Sequence, residues 1–189
     1  MANDTAVFGR VWTWVVPARE ADWDSLYQEQ LPRIYNFFRF RVGAGPVAED
    51  LTSATFEKAW RARHRYRRDL GAFSTWLYTI ARNVATDHFR QQRHHLPLEA
   101  AHEVAAPGTA ADSAERRSDA AHLGRLMERL EDRERELLSL KYGAGLTNRA
   151  IARLTGLSES NVGTVLHRTI GELRAEWQST ESKPSERSS

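Results

Sequence analysis

The chain of 189 residues contains no cysteine, which excludes a disulfide framework and any zinc site built on thiolates. A reducing, cytoplasmic setting is the expectation that follows. Long apolar runs are missing as well. The longest, Val11 to Pro17, falls far short of the roughly 20 residues a bilayer helix needs, and no basic-then-apolar pattern leads to a cleavage site. Neither a membrane span nor a secretory leader is expected. Catalytic patterns are equally scarce. His64, His88, His94, His95 and Asp87 could be imagined as metal ligands or an acid–base pair, but there is no HxxxH spacing, no glycine-rich phosphate loop and no nucleophile setting for Ser. The chain reads as a protein that is not an enzyme and that holds no cofactor or metal. Lysine is nearly absent, 3 residues against 24 Arg, and the net formal charge is only +2. Any nucleic-acid surface must therefore be sought locally rather than in the overall charge.

One such locality stands out. From Phe73 to Arg93, the residues Phe73, Trp76, Leu77, Ile80, Val84 and His88 recur at steps of three and four, which places them on one buried side of a helix. Thr79, Arg82, Asn83, Thr86 and Arg90 fall on the other. Arg61, Arg63, Arg65, Tyr66, Arg67 and Arg68 lie just upstream, so residues 61–93 hold eight Arg against Asp69 and Asp87, a local balance of +6. Such a patch attracts phosphate, and the Tyr and Trp rings offer stacking platforms for unpaired bases. A solvated helix surface with Trp76 in the core is the plainer reading of the same residues.

A second segment, Thr147 to Arg168, reads as two short helices joined by a tight turn, a helix-turn-helix. Ile151, Leu154, Leu157, Val162, Val165 and Leu166 supply the shared core. Ala152 is small where the helices cross, Gly156 can take the positive φ that ends the first helix, and Ser158 is a natural N-cap for the second. Residues 158–168 would enter the major groove. The recognition-helix region 159–177 carries Arg168 and Arg174 against Glu159, Glu172 and Glu176, a balance of −1, so it is expected to be a modest phosphate binder.

Around these segments the organisation is that of an all-α protein. Residues 1–21, with Phe8, Val11, Trp12, Trp14, Val15 and Val16, form an N-terminal extension that packs on a domain surface or serves as a partner-binding arm. A helix from Asp22 to about Val42 uses Leu26, Tyr27, Ile34, Phe37 and Phe38 as core, with Pro32 bending or interrupting it. Gly43-Ala44-Gly45-Pro46 is a turn, and Pro46 opens a second helix with Glu49 and Asp50 near its N-terminus, where the macrodipole favours carboxylates. That helix sets Val47, Leu51 and Ala54 opposite Phe56, Ala59 and Trp60, which implies two packing surfaces. From His94 onward the composition shifts to Ala, Pro, Gly, Ser and charge without an apolar period, and residues 94–119 read as a flexible linker. Extended at about 3.3 Å per residue, it could reach roughly 80 Å, around two turns of B-DNA. Residues 179–189 are a polar tail. The fold expected is two small helical domains, 22–93 and 120–178, joined by that linker.

The two segments together resemble the extracytoplasmic-function (ECF) class of bacterial sigma factors, the small two-domain promoter-recognition subunits of RNA polymerase. "FSTWLYTIARNVATDHFRQQR" is similar to the strand-melting part of the family's first domain, and "AEDLTSATFEKAW" (Ala48 to Trp60) to the helix that grips the polymerase clamp. "LEDRERELLSLKYGAGLT" (Leu130 to Thr147) with the helix-turn-helix resembles the second domain, which reads the upstream promoter element. The resemblance implies core RNA polymerase, promoter DNA and an anti-sigma protein as partners. It implies polymerase binding by Glu49, Asp50, Ser53, Phe56, Glu57 and Trp60. Downstream-element binding and melting fall to Tyr66, Arg67, Arg68, Phe73, Trp76, Arg82, Asn83 and Arg90. Upstream-element binding falls to Arg149, Arg153, Ser158, Ser160, Asn161, Gly163, Thr164, His167 and Arg168. The sequence departs from the family at Ser53 and Ala54, where many members have Gln and an acidic residue, and at Gly163 and Val165, where Lys or Arg is common. The reading from a different class is a free-standing helix-turn-helix regulator, with residues 22–93 as a sensing or dimerisation domain.

Overall fold

A computed structural model describes residues 23–67, 69, 72–94 and 112–181. Among them are seven α-helices and no strand. The N-terminal extension, Arg68, most of the linker and residues 182–189 of the polar tail lie outside the described residues, whereas residues 179–181 continue the last helix.

Helix α1 (Trp23–Val42) buries Gln30, Ile34, Phe37, Phe38 and Arg41, the i, i+4, i+7 stripe that turns an amphipathic helix toward a core. It runs through Pro32 without ending, because the proline sits on the exposed side and forfeits one backbone bond. Gly43 and Gly45 turn the chain with positive φ of 86° and 120°, values that only glycine adopts readily. Pro46 then opens α2 (Pro46–Arg61) as expected. Its buried face is Ala48, Leu51, Thr52, Thr55 and Ala59. The hydroxyls of Thr52 and Thr55 donate to the carbonyls of Ala48 and Leu51, each at 2.7 Å, so neither is buried without a partner.

Helix α3 (Phe73–His94) differs in one respect from its sequence reading. Phe73, Leu77 and Val84 are buried, and so are Tyr78, Ala81 and Ala85, whereas Trp76, Ile80 and His88 are only half-buried. The helix therefore has a second covered side, adjacent to Arg82. The linker differs too. Helix α4 (Asp112–Glu128) begins inside the 94–119 stretch, because Ala, Glu, Arg and Leu are strong helix formers whose propensity operates without an apolar period. Leu126 and Met127 anchor its far end in the core.

The second half continues with α5 (Asp132–Leu138), opened by a capping box between Glu131 and Glu134. It passes directly into a π-helical turn, Ser139–Gly143, in which the Ala144 amide bonds the Ser139 carbonyl at 2.9 Å. Helix α6 (Asn148–Thr155) is N-capped by Thr147 and ends, as the sequence predicts, at Gly156, φ 75° in the left-handed region. Helix α7 spans Glu159–Glu181, and the Ser158 hydroxyl accepts from the Asn161 amide at 3.1 Å, the expected N-cap.

The two halves are not independent beads. α1 packs on the π-helical turn, and α3 meets α6, so that Phe37, Phe38, Leu137, Leu138, Leu140 and Ile151 belong to one buried cluster. The approach is close. A Cβ placed on Gly143 would lie 2.7 Å from the Asn36 carbonyl oxygen and 3.0 Å from the Phe37 Cα, which leaves room for glycine alone.

Candidate nucleic-acid interface

Two faces of α2 separate by exposure. Glu49, Asp50, Ser53, Glu57 and Trp60 are all exposed, and their spacing puts them along one stripe of the helix. Phe56 is half-buried beside them, with its ring 4.6 Å from that of Tyr27. Trp60 keeps 52% of its surface exposed, while the Arg63 guanidinium covers one ring face at 4.1 Å. All six residues expected at a polymerase contact thus lie together, acidic at one end and aromatic at the other. Glu57 is engaged with Arg61 at 2.6 Å, an exposed i, i+4 pair that contributes little. An open groove of about 410 Å³ runs beside the acidic end, lined by Leu31, Pro32, Tyr35, Glu49, Thr52 and Ser53.

Beyond α2 the aromatic residues gather. Trp23 meets Trp60, Phe73 and Trp76 edge-on at 5.7, 5.3 and 6.2 Å, and Tyr66 lies 5.3 Å from Phe73 and 5.4 Å from Trp76. Such pairs add to area burial. Phe73 is buried, so among the residues expected to face DNA it is placed in the core instead. Trp76 and Tyr66 are half-buried, each with one part in this cluster and one part reachable.

The cations on this side are distributed unequally. Arg67 is exposed and binds Asp69 with two hydrogen bonds, of 3.0 and 2.7 Å, an arrangement that holds the Asp69 carboxyl below its ordinary range. Arg90 is exposed and pairs with Asp87 at 3.0 Å, and Asn83 is exposed. Arg82 is the exception. Its guanidinium bonds Glu136 of α5 at 2.8 Å, with the two side chains only 25% and 19% exposed, and it donates to the carbonyl of Leu154 at the end of α6. The sequence reading set Arg82 on an open polar face. It is turned into the second half because α5 and α6 cover that side of α3.

In the second half, Arg149, Arg153, Ser158, Ser160, Asn161, Thr164 and His167 are exposed around α6 and the first turns of α7. Ile151, Val162 and Leu166 hold the two helices together beneath them. Gly163 is half-buried against Asn148. Arg168 is exposed but paired with acidic neighbours. It bonds Glu134 at 2.6 Å and lies 3.7 Å from Glu172, and the Glu134 contact raises its pKa. Arg149 and Arg153 are exposed cations beside the helix-turn-helix turn. Two charged groups that join the halves escaped the sequence reading: Glu136, and the buried Arg41, whose guanidinium donates to the Asp132 carbonyl at 2.7 Å and lies 4.8 Å from the centre of the Phe89 ring. Burial lowers the Arg41 pKa, opposed by Glu136 and Asp132. Neither has a local signature, since their partners lie 54 and 91 residues away. No group of acidic and His side chains that could hold a metal ion occurs among the described residues, and none of their helices is long and apolar enough to cross a membrane.

A helical module with an aromatic, arginine-rich helix, followed by a helix-turn-helix module, defines a DNA-binding protein of the sigma type. The family described as Sigma-70 region 2 matches residues 26–95, and Sigma-70 region 4 matches residues 121–173. The chain is 34% identical to the ECF RNA polymerase sigma factor BldN of Streptomyces coelicolor, over 82% of this chain and 61% of BldN. It is 33% identical to the RNA polymerase sigma factor CarQ of Myxococcus xanthus, over 80% of this chain and 86% of CarQ. In fold it is similar to RpoE of Bartonella quintana, solved with the anti-sigma factor NepR (TM-score 0.65, 19% identity, 83% of this chain and 97% of that one). It is also similar to CnrH, solved with the cytosolic domain of CnrY (TM-score 0.63, 20% identity, 82% and 87%). The chain belongs to the ECF class of the RNA polymerase sigma-factor family, whose members direct transcription initiation.

Proposed function

We propose that residues 22–93 bind core RNA polymerase through the exposed stripe of α2 and melt the downstream promoter element with α3, while residues 120–178 read the upstream element with α7. The observation that carries this reading is the exposure of two different sets of side chains. Glu49, Asp50, Ser53 and Glu57 are exposed on α2, and Asn83 and Arg90 are exposed on α3; the two sets border one another where Trp60 and Trp76 both meet Trp23. Carboxylates near the start of α2 are matched to a basic partner, and Trp60 is a suitable anchor at its far end.

On α3, Asn83 and Arg90 reach outward for bases and phosphate, with the half-buried rings of Trp76 and Tyr66 as stacking surfaces. An unpaired base can stack on a ring and be read on its edge, which a paired base cannot. On α7, Asn161 and Thr164 meet base edges while Arg149 and Arg153 supply phosphate contacts. The chain acts without catalysis of its own, in the cytoplasm where polymerase works. An anti-sigma protein is its proposed antagonist, by likeness to factors solved with theirs. The test is reconstitution with purified core polymerase and the full chain. Promoter-specific initiation that requires both is expected; duplex binding that is equally tight and selective without polymerase would point instead to a free-standing regulator.

A further inference from the structure

We infer that the seam between α1 and α2 is a docking surface for the chain's own N-terminal arm, residues 5–19, which competes there with polymerase. The competition rests on the proposed role of α2; the docking does not. Tyr27, Leu31 and Tyr35 follow one another at four-residue steps on α1, and Ser53, Phe56 and Trp60 at steps of three and four on α2, so each set forms one stripe. The stripes run side by side. At one end the Tyr27 ring meets that of Phe56 at 4.6 Å, and farther along, Leu31 and Tyr35 face Glu49, Thr52 and Ser53 across the open groove of about 410 Å³. Tyr27 keeps 45% and Trp60 52% of its surface exposed. Apolar surface gathered along a groove with a polar rim marks a site of interaction.

Three observations select the arm as the occupant. The first is composition: residues 5–19, which lie outside the described residues, hold Phe8, Trp12, Trp14 and four Val, and no acidic residue. Burial of such a run is favoured wherever an apolar surface is within reach. The second is charge. The arm carries Arg10 and Arg19, whereas Glu49 and Asp50 are exposed at the groove end of α2, a complementary pairing that fixes orientation. The third is reach. Trp14 precedes Trp23 by nine residues, roughly 30 Å of extended chain, while Tyr35 lies twelve residues into α1, only about 18 Å along its axis. The arm can double back over the whole seam. With residues 12–16 extended, Trp12, Trp14 and Val16 share one side, which meets the seam. Arg10 then falls toward the carboxylates.

This placement has a consequence for polymerase. Glu49 and Ser53 line the groove and also belong to the stripe through which α2 is proposed to bind it. One site cannot hold both. Because the arm is tethered, its docking is intramolecular and proceeds at high effective concentration. Apparent affinity for core polymerase is then reduced by the fraction of chains whose arm is undocked.

The experiment exploits the absence of cysteine: Thr13→Cys on the arm and Gln28→Cys on α1, where Gln28 is exposed, carry spin labels in the full chain. Pulsed dipolar spectroscopy should give one short, narrow distance population, retained when the labelled chain is diluted with unlabelled chain. Trp12→Ser with Trp14→Ser should broaden it, and Arg10→Glu should do so to a smaller extent. Both variants should bind purified core polymerase more tightly, by roughly tenfold for the Trp pair if about a tenth of the parent is undocked. A broad distance in the parent overturns the docking, as does a narrow one that survives loss of both Trp. A distance that disappears on dilution assigns the seam to a second copy and overturns the intramolecular arm. Release of the arm at unchanged polymerase affinity overturns the competition. The reading of α2 is judged separately, because Glu49→Lys/Asp50→Lys should weaken polymerase binding whether or not the arm docks.

Discussion

Replacing Gly163 with Arg should tighten upstream-element binding and steepen its dependence on salt. The perturbation is clean. A Cβ at this position meets only the side-chain nitrogen of Asn148, at 3.6 Å, which is ordinary van der Waals contact. Gly163 lies within α7 and is not among the glycines with positive φ, so Arg can adopt its backbone and gains roughly 1 kcal/mol of helix propensity. The electrostatic effect starts from a low base, because residues 159–177 carry two Arg against three Glu and Arg168 is held by Glu134 at 2.6 Å. One added phosphate contact changes the slope of log K against log salt by roughly −0.9. At a salt concentration near 0.1 M that amounts to about eightfold in affinity, or about 1.2 kcal/mol. Fluorescence anisotropy on a promoter fragment, with holoenzyme containing the full-length variant, measures both quantities over a salt series. Discrimination between promoter and scrambled upstream element should hardly change, since phosphate carries no sequence information. An unchanged slope in a variant with a raised melting temperature would refute the placement of this face of α7 along the DNA backbone.

Three other perturbations address separate parts of the account. Reversing Glu49 and Asp50 to Lys should weaken co-purification with core polymerase several-fold while leaving the melting temperature nearly unchanged, because both are exposed; wild-type recovery of polymerase would remove this stripe as the contact. Asn83→Ala should reduce permanganate reactivity of the melted promoter region at little cost in fold stability, and full reactivity would exclude Asn83 from strand opening. Burial holds the His88 imidazole below its ordinary value of 6.5, so the unfolded chain takes up a proton that the folded chain resists. Its contribution to stability is complete above that value and declines as pH falls below it. Thermal melts at about pH 7.5 and 5.5 should show a larger loss for the parent than for His88→Gln, and parallel losses would assign the pH dependence to other groups.

The helix-turn-helix was legible because its signals are local. Ser158 caps, Gly156 takes the left-handed conformation, and Ile151, Val162 and Leu166 repeat at helical spacing, all within about 20 residues of chain. The stripe on α2 was legible for the same reason, although the sequence alone leaves open which of its two apolar faces is covered. Phe73 and Trp76 show where local reading ends: period places both on one side, but only the meeting with Trp23 and Tyr66 decides how much of each ring is reachable. Arg82 and Arg168 show it more sharply. Each looked like a free cation on a polar face, and each is engaged by a carboxylate far along the chain, 54 and 34 residues away. No composition or period encodes such a partner. The start of α4 at Asp112 was missed because a helix of Ala, Arg, Asp and Ser leaves no apolar stripe to find.

The central claim is tested most directly by run-off transcription with purified core polymerase and the full chain on a promoter selected by the resulting holoenzyme. The account predicts a discrete transcript that needs both proteins and is lost together with the Glu49→Lys/Asp50→Lys contact. Failure of the chain to bind core polymerase, or a transcript made equally well by core polymerase alone, would contradict it.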